Sequence, residues 1–171
     1  MQALPELATV ALRTGLAGLA AAAALHKLRD LGRSRRATRA LTGADGLTAD
    51  VVLGLAITLE AGGAALSLTG AFGSRGQLLL AVVWLLYAGA LARQRAGDCG
   101  CGFGRRSPSH TYGIVRNIVL AALALATAGW EPHAWRPDLL AAGAPAALVF
   151  LLLYLAADEL GSHPRLARSR P

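Results

Sequence analysis

The sequence contains little charge, little cysteine and no pattern typical of β-strands. Charged residues make up 16% of the 171 positions, whereas soluble domains usually carry about 25%. The 2 cysteines are too few for a disulfide framework. The long apolar stretches are rich in Ala and Leu and do not alternate with polar residues, so they favour helices over strands. These absences argue against a soluble or disulfide-stabilised domain and predict an all-α membrane protein.

Motifs for several common chemistries are also missing. There is no phosphate-binding loop, HExxH pattern or nucleophile elbow, so nucleotide-driven and hydrolytic reactions have no support. A net charge of +7 can indicate a nucleic-acid partner in a soluble protein. Here the basic residues lie between apolar blocks, without the interleaved aromatic residues of a single-strand binder. We therefore expect no nucleic-acid partner and interpret the basic residues as determinants of membrane topology.

Long hydrophobic segments are what the sequence has in abundance. Hydrophobic residues make up 54% of the chain, and a helix needs about 20 of them to cross a bilayer. The first block lacks the basic region of a signal peptide, so we expect it to be retained. We predict one membrane domain over residues 1–160, polar residues from Asp158 onward and a basic tail over 161–171. The predicted bundle has about five spans, at residues 7–28, 48–72, 77–94, 111–130 and 139–157.

The distribution of Lys and Arg predicts the orientation of these spans in the cell membrane. The loop over 26–49, the loop after the third span and the C-terminal tail together carry thirteen such residues. The loops on the other side carry only Arg75 and Arg136. Basic residues accumulate on the cytoplasmic side, so the N-terminus is expected outside and the loop after the third span inside. Within the loop over 26–49, residues 33–40 are expected to form a basic helix on anionic headgroups.

Both cysteines lie in the loop after the third span. Cys99 and Cys101 are separated by Gly100 and lie within a glycine-rich run. A disulfide between them would close a small, strained ring, and strained disulfides are the labile, redox-active ones. Arg105 and Arg106 follow closely and would favour the reactive thiolate form, whereas the Asp98 carboxylate beside Cys99 would oppose it. We interpret the pair as a redox site; loop thiols without a role, or a metal site with His110 as a third ligand, are the alternatives.

Three charged residues lie within predicted spans: Arg13, Glu60 and Arg116. Such residues are costly in a bilayer and indicate pairing or function. Counted from the predicted span ends, Arg13 and Glu60 have similar depth, so we expect a structural ion pair between them. Arg116, with Asn117 beside it, either supports a cysteine thiolate or a quinone-like acceptor, or extends to the interface by snorkelling. Lys27 is interpreted as an interfacial anchor.

The run around the cysteines resembles the MauE methylamine-utilisation family. The resemblance rests on Asp98-Cys99-Gly100-Cys101-Gly102-Phe103-Gly104 with Arg116-Asn117 in the next span. Leu12-Arg13, Lys27-Leu28-Arg29-Asp30 and Leu59-Glu60-Ala61-Gly62-Gly63 are similar to the MauE/DoxX pattern. The family's usual run is Cys-Gly-Cys-Phe-Gly, so Gly102 is an insertion that leaves the cysteine pair intact.

The resemblance implies a DoxX-like four-helix core plus a C-terminal helix, and a redox-associated role in the methylamine metabolic process. Cys99 and Cys101 would then be the catalytic pair of a thiol–disulfide relay. A thioredoxin-like protein or a disulfide-rich client would be its partner, with no required cofactor and quinone as an optional one. The alternatives are a non-catalytic scaffold or assembly factor and a DoxX-like quinone-linked subunit. The resemblance implies supporting roles for Asp98, Gly100, Phe103, Gly104, Arg116 and Asn117, and a packing or relay role for Arg13 and Glu60.

The expected orientation conflicts with the simplest form of this function. Disulfide formation in exported proteins requires cysteines that face the oxidising side of the membrane. The charge distribution places Cys99 and Cys101 on the cytoplasmic side. Either electrons come from cytoplasmic thiols, or the rule on basic residues does not hold for this chain. We follow the charge distribution.

Overall fold

The structure, a computed structural model, describes residues 3–69, 72–94, 110–129 and 137–161. Within these ranges the chain is helical, with no strand, which confirms the all-α part of the predicted fold class. The helices of the described residues are α1 (Ala3–Arg29), α2 (Leu31–Thr42), α3 (Gly46–Ser67), α4 (Gly73–Gln94), α5 (His110–Ala128) and α6 (Pro137–Gly161).

Four of these helices are long and apolar enough to cross a membrane. They correspond to the first four predicted spans and cover Glu6–Arg29, Gly46–Ser67, Gly73–Arg93 and His110–Ala128. The second predicted span was too long, because α3 ends at Ser67 and α4 already begins at Gly73. The fifth predicted span lies within α6, which continues through Pro145. A membrane crossing by α6 stays a prediction.

The short helix α2 begins and ends with recognisable caps. The Asp30 carboxylate accepts a hydrogen bond from the Arg33 amide at 2.9 Å, which satisfies one of the free N–H groups of the first turn. Gly43 ends the helix with a φ of 68°, the left-handed conformation that glycine adopts without strain. Along its length, α2 contacts α3 through the Arg35–Asp50 ion pair and α4 through Leu41 against Leu91.

Helix α1 lies at the centre of the bundle. It packs against α3 on one side and α6 on another, and it also contacts α4 and α5. Helix α4 packs closely against both α3 and α5. Large apolar side chains such as Leu55, Leu86 and Leu153 remain exposed, as expected for helices surrounded by lipid. The shared core contains Leu16, Ala17, Leu19, Ala20, Ala64, Leu80, Ala81, Trp84, Leu120, Ala121 and Ala124.

Glycines allow the closest helix approaches. A Cβ atom on Gly76 of α4 would lie 2.3 Å from the Ser67 amide nitrogen of α3. A Cβ atom on Gly15 of α1 would lie 2.6 Å from the Phe150 ring of α6. Small residues at helix contacts are typical of membrane bundles, in which van der Waals packing drives association. These contacts fix the α3–α4 hairpin and the position of α6.

Candidate functional site

The cysteine run lies outside the described residues. This applies to the predicted site residues Asp98, Cys99, Gly100, Cys101, Phe103 and Gly104. Helix α4 ends at Gln94 before this run, and α5 begins at His110 after it. The His110 ring nitrogen Nε2 lies 2.8 Å from the Leu91 carbonyl oxygen and joins these two helix ends by a hydrogen bond. We refer to this end of the bundle as the loop end.

A buried cluster of Lys27, Glu60 and Tyr87, the lysine cluster, joins α1, α3 and α4. The Lys27 ammonium donates to both Glu60 carboxylate oxygens, at 2.7 and 2.8 Å. The Tyr87 hydroxyl donates to Glu60 Oε1 at 2.7 Å. Lys27 Nζ also lies 5.4 Å from the centre of the Tyr87 ring, within the range of a cation–π contact.

Burial makes the pairing in the lysine cluster necessary. The side chains of Lys27 and Glu60 are 4% and 1% exposed. A single charge at this position would lose its hydration without compensation, whereas the pair is neutral overall and its oxygens are hydrogen-bonded. Lys27 belongs to the last turn of α1, where its positive charge also interacts favourably with the helix dipole.

A second buried ion pair joins α5 to α6. Arg116 Nη1 donates to Asp158 Oδ1 at 2.7 Å, and each side chain is 4% exposed. Asn117, beside it on α5, is also buried and donates through Nδ2 to the Gly113 carbonyl at 2.8 Å. Asn117 thus bonds to its own helix, while Arg116 links that helix to α6.

Arg13 lies at the end of the bundle opposite the loop end. Its Nε and Nη2 atoms donate to the Thr127 carbonyl at 3.1 and 2.7 Å, and Nη2 also donates to the Ser74 hydroxyl at 3.2 Å. Thr127 belongs to the last turn of α5, where backbone carbonyls lack a partner within the helix. The buried guanidinium therefore caps α5, and its positive charge opposes the negative end of the helix dipole.

Helix geometry gives the depth of these sites. Tyr87 precedes Gln94 by seven residues and Arg116 follows His110 by six, which places both about 10 Å from the loop end. Arg13 is fourteen residues from Lys27 on the same helix, or about 21 Å away. The two buried ion pairs thus lie near the helix ends that flank the cysteine run in sequence, and Arg13 lies far from them.

Comparison with known proteins identifies the family. Residues 5–130 match the family described as Methylamine utilisation protein MauE. The chain belongs to the MauE family. No curated protein and no solved structure matches the chain in the corresponding comparisons. With four helices long and apolar enough to cross a bilayer among its described residues, this MauE-family member is a multi-pass membrane protein.

The part that matches the MauE family contains most of the buried polar residues, but not all. It includes α1 from Pro5 through α5, and with them Arg13, Lys27, Glu60, Tyr87 and Arg116. It ends before α6 and therefore before Asp158. The carboxylate that pairs with Arg116 comes from a helix beyond the family match.

The predicted pairing of Arg13 with Glu60 was wrong. Glu60 bonds to Lys27 and Tyr87, whereas Arg13 bonds to Thr127 and Ser74. The error came from the assumption that α1 ends and α3 begins at the same membrane level. Because α2 lies against the first half of α3, Glu60 lies level with the end of α1, where Lys27 is found.

Three functional residues were misinterpreted or missed. Lys27 is buried and does not act as an interfacial anchor, and Asp158 belongs to α6 rather than to a polar segment after it. Tyr87, an aromatic residue of the third predicted span, also belongs to this set, because its hydroxyl bonds to Glu60. Charge balance could have found two of them, because a carboxylate within a span requires a cation and Arg116 requires a carboxylate.

Arg116 is 7% exposed and pairs with Asp158, so it does not extend to the bundle surface as snorkelling requires. Its predicted role beside a thiolate or a quinone-like acceptor stays a prediction. Among the described residues, no three His, Cys, Asp or Glu side chains lie close enough together to hold a metal ion.

Proposed function

We propose that this MauE-family protein performs thiol–disulfide exchange at the membrane through Cys99 and Cys101. Its partner in methylamine utilisation would be a protein whose disulfides are reduced or rearranged during its maturation. One observation carries the proposal beyond the family match: the lysine cluster, through Tyr87, and the buried Arg116–Asp158 pair hold the two helices that flank the cysteine run. Ionisable residues within spans mark functional sites by default, because their cost has to be offset.

The exchange balances without an added oxidant. One thiolate of the reduced pair attacks a partner disulfide and forms a mixed disulfide, and the partner's other sulfur leaves as a thiolate. The second cysteine thiolate attacks the mixed disulfide, closes the Cys99–Cys101 bond and releases the partner as a dithiol. Two electrons pass to the partner, whose thiolates take up protons. A thioredoxin-like dithiol then reduces the Cys99–Cys101 bond by the same steps.

The buried ion pairs have a positioning role in this proposal. The lysine cluster fixes α4 against α1 and α3, and the Arg116–Asp158 pair fixes α5 against α6. The two helices from which the cysteine run extends are also joined to each other by the His110–Leu91 hydrogen bond. A loop with fixed ends presents its thiols to a partner at a lower entropic cost.

A redox titration of the full-length protein in membranes tests the proposal. Membranes are equilibrated with reduced and oxidised glutathione at a series of ratios, and free thiols are then tagged with a maleimide that adds mass. We expect Cys99 and Cys101 to lose both tags together. The ratio of oxidised to reduced pair should change tenfold for each change of about 30 mV in the redox potential, as a two-electron couple requires.

Serine variants provide the control. Cys99→Ser and Cys101→Ser should each leave one thiol that forms a mixed disulfide with glutathione and cannot close the ring. If both thiols of the wild type remain tagged up to the most oxidising ratio, the redox pair does not exist. A non-catalytic scaffold would then be the better explanation, and the double serine variant should support partner maturation as well as the wild type.

A further inference from the structure

An apolar groove follows the outer face of α3 and α4 beneath the C-terminal end of α2. It consists of two adjoining cavities of about 260 and 530 Å³ that share Leu41, Thr42, Leu86 and Ala90. The smaller cavity lies in the seam between α3 and α4, and it includes Leu55 and the Tyr87 ring. The larger continues along α4 past Gly89 to Arg93.

The chemistry of the smaller cavity excludes water as its natural occupant. Its surface is almost wholly apolar, and apolar cavities stay dry because water finds no hydrogen-bond partners there. Leu55 and Leu86 on its rim are 56% and 62% exposed, so the groove is open on the side where these helices face lipid. In a bilayer, the molecules next to such an opening are hydrocarbon chains.

The larger cavity adds a charge at one end. Among the described residues that line it, Arg93 is the one that carries a charge, and it lies in the last turn of α4 at the loop end. Helix α2, whose C-terminal residues cover the groove, carries exposed arginines at positions 35, 36 and 39. Basic residues at the ends of membrane helices attract anionic lipid headgroups. An apolar seam that leads to an arginine at the bilayer surface matches a phospholipid, because the seam can hold an acyl chain and the arginine can bind the anionic headgroup.

We propose that the groove binds one anionic phospholipid, with an acyl chain against the Tyr87 ring and the phosphate at Arg93. The chain lies in the seam between α3 and α4, and the headgroup lies at the loop end beside α2. This site is independent of thiol exchange and rests on the cavity lining and the charge of Arg93.

Bound lipid also affects the lysine cluster. The Tyr87 ring forms part of the groove wall, while its hydroxyl donates to Glu60 on the other side. An acyl chain against the ring covers the cluster on its lipid side and keeps water from the Lys27–Glu60 pair. Loss of the lipid should therefore make the cluster more accessible to water.

Photo-crosslinking tests the site in the full-length protein reconstituted in nanodiscs. The probe is a phosphatidylglycerol with a photoactivatable diazirine in one acyl chain, and a phosphatidylcholine with the same chain is the comparison lipid. We expect adducts on peptides from Val52–Leu59 and Val83–Ala90, and fewer adducts with phosphatidylcholine. Arg93→Gln should lower the phosphatidylglycerol adducts about fivefold, the effect of one basic residue near a membrane surface.

Matched variants separate the groove from general lipid contact. Gly89→Leu fills the groove, since a Cβ atom there meets nothing within 4 Å, and it should lower the adducts at least as much as Arg93→Gln. Gly62→Leu also extends into open space but lies outside the groove, and Arg75→Gln removes a charge near the other end of α4. Both controls should keep the wild-type yield.

Three results would overturn the proposal. One is an equal adduct yield in Arg93→Gln, Gly89→Leu and the two controls. Another is equal labelling by phosphatidylglycerol and phosphatidylcholine, which would remove the headgroup contact. The third is crosslinking of these peptides to a second copy of the chain without lipid adducts, which would identify a protein occupant.

Discussion

At the scale of single residues, every charged side chain buried in the described part of the chain is bonded to another element. Lys27 of α1 bonds to Glu60 of α3, Arg116 of α5 bonds to Asp158 of α6, and Arg13 of α1 bonds to a carbonyl of α5. These bonds join helices that are far apart in sequence. The buried charges therefore determine which helices meet, in addition to the apolar core.

Glu60→Gln should destabilise the protein far more than a matched change at the surface. It leaves Lys27 buried without a counter-charge, and the loss of one partner from a buried pair costs about 3–5 kcal/mol. Asp50→Asn breaks the Arg35–Asp50 pair, whose side chains are 50% and 38% exposed, and should cost less than about 1 kcal/mol. Unfolding of the full-length chain in detergent by increasing denaturant measures both.

A double variant tests the cause of that loss. Lys27→Met with Glu60→Leu removes both charges, and buried pairs replaced by apolar residues often retain their stability. We expect it to be more stable than Glu60→Gln alone. Equal losses in Glu60→Gln and Asp50→Asn would contradict the assignment of Glu60 to a buried pair.

The contacts of single residues were also the hardest feature to predict from the sequence. The sequence indicates that Glu60 needs a cation, but the choice between Arg13 and Lys27 depends on how far α3 is displaced along α1. That displacement comes from α2, whose direction the sequence does not encode in any simple pattern. Asp158 was placed outside the fifth span because that span was predicted from apolar residues alone, and Asp158 directly follows the last of them.

At the scale of helices, prediction from the sequence was more successful. Apolar length located α1, α3, α4 and α5 to within a few residues, because a bilayer requires that length in any helix that crosses it. The basic pattern over residues 33–40 located α2. Helix ends were less accurate, since the turn between α3 and α4 is set by the contact of Gly76 with Ser67, which hydropathy does not reveal.

Gly76→Ala should disrupt the α3–α4 hairpin, whereas Gly62→Ala should not. The new Cβ atom at position 76 would lie 2.3 Å from the Ser67 backbone nitrogen, so two helix backbones must move apart. Overpacking of this kind costs about 1–3 kcal/mol or more. At position 62 the Cβ atom meets nothing within 4 Å, and alanine should gain up to about 1 kcal/mol from its higher helix propensity.

The same denaturation series in detergent measures both alanine variants. A Gly76→Ala protein as stable as Gly62→Ala would show that the α3–α4 contact is looser than the structure indicates. The comparison is well matched, because both positions are helical glycines and both changes add one methyl group.

At the scale of the whole molecule, the charge distribution predicts the orientation in the membrane. Arg75 lies near the start of α4, nineteen residues or about 28 Å along the helix from Gln94, and the cysteine run follows Gln94 in sequence. In intact cells, a membrane-impermeant maleimide should leave Cys99 and Cys101 unlabelled until the cells are opened. Arg75→Cys in a variant with both native cysteines replaced by Ser should be labelled without opening the cells.

The reverse labelling pattern would mean that the excess of basic residues does not set the orientation of this chain. Cys99 and Cys101 would then face the oxidising side, and the conflict between the charge distribution and disulfide formation in exported proteins would disappear. Labelling of both sites, or of neither, in intact cells would contradict the assignment of these positions to opposite membrane faces.

The Arg116–Asp158 pair also constrains how the protein is made. During synthesis, α5 emerges from the ribosome with Arg116 while Asp158 is still 42 residues away. An arginine within an inserting helix is costly, by about 2.5–3.5 kcal/mol at the helix centre on insertion scales and by less toward a helix end. Neutralisation of Arg116 therefore waits until α6 has been translated and docked against α5. Biogenesis of this MauE-family member should accordingly have a late checkpoint, at which α6 supplies the carboxylate that neutralises Arg116.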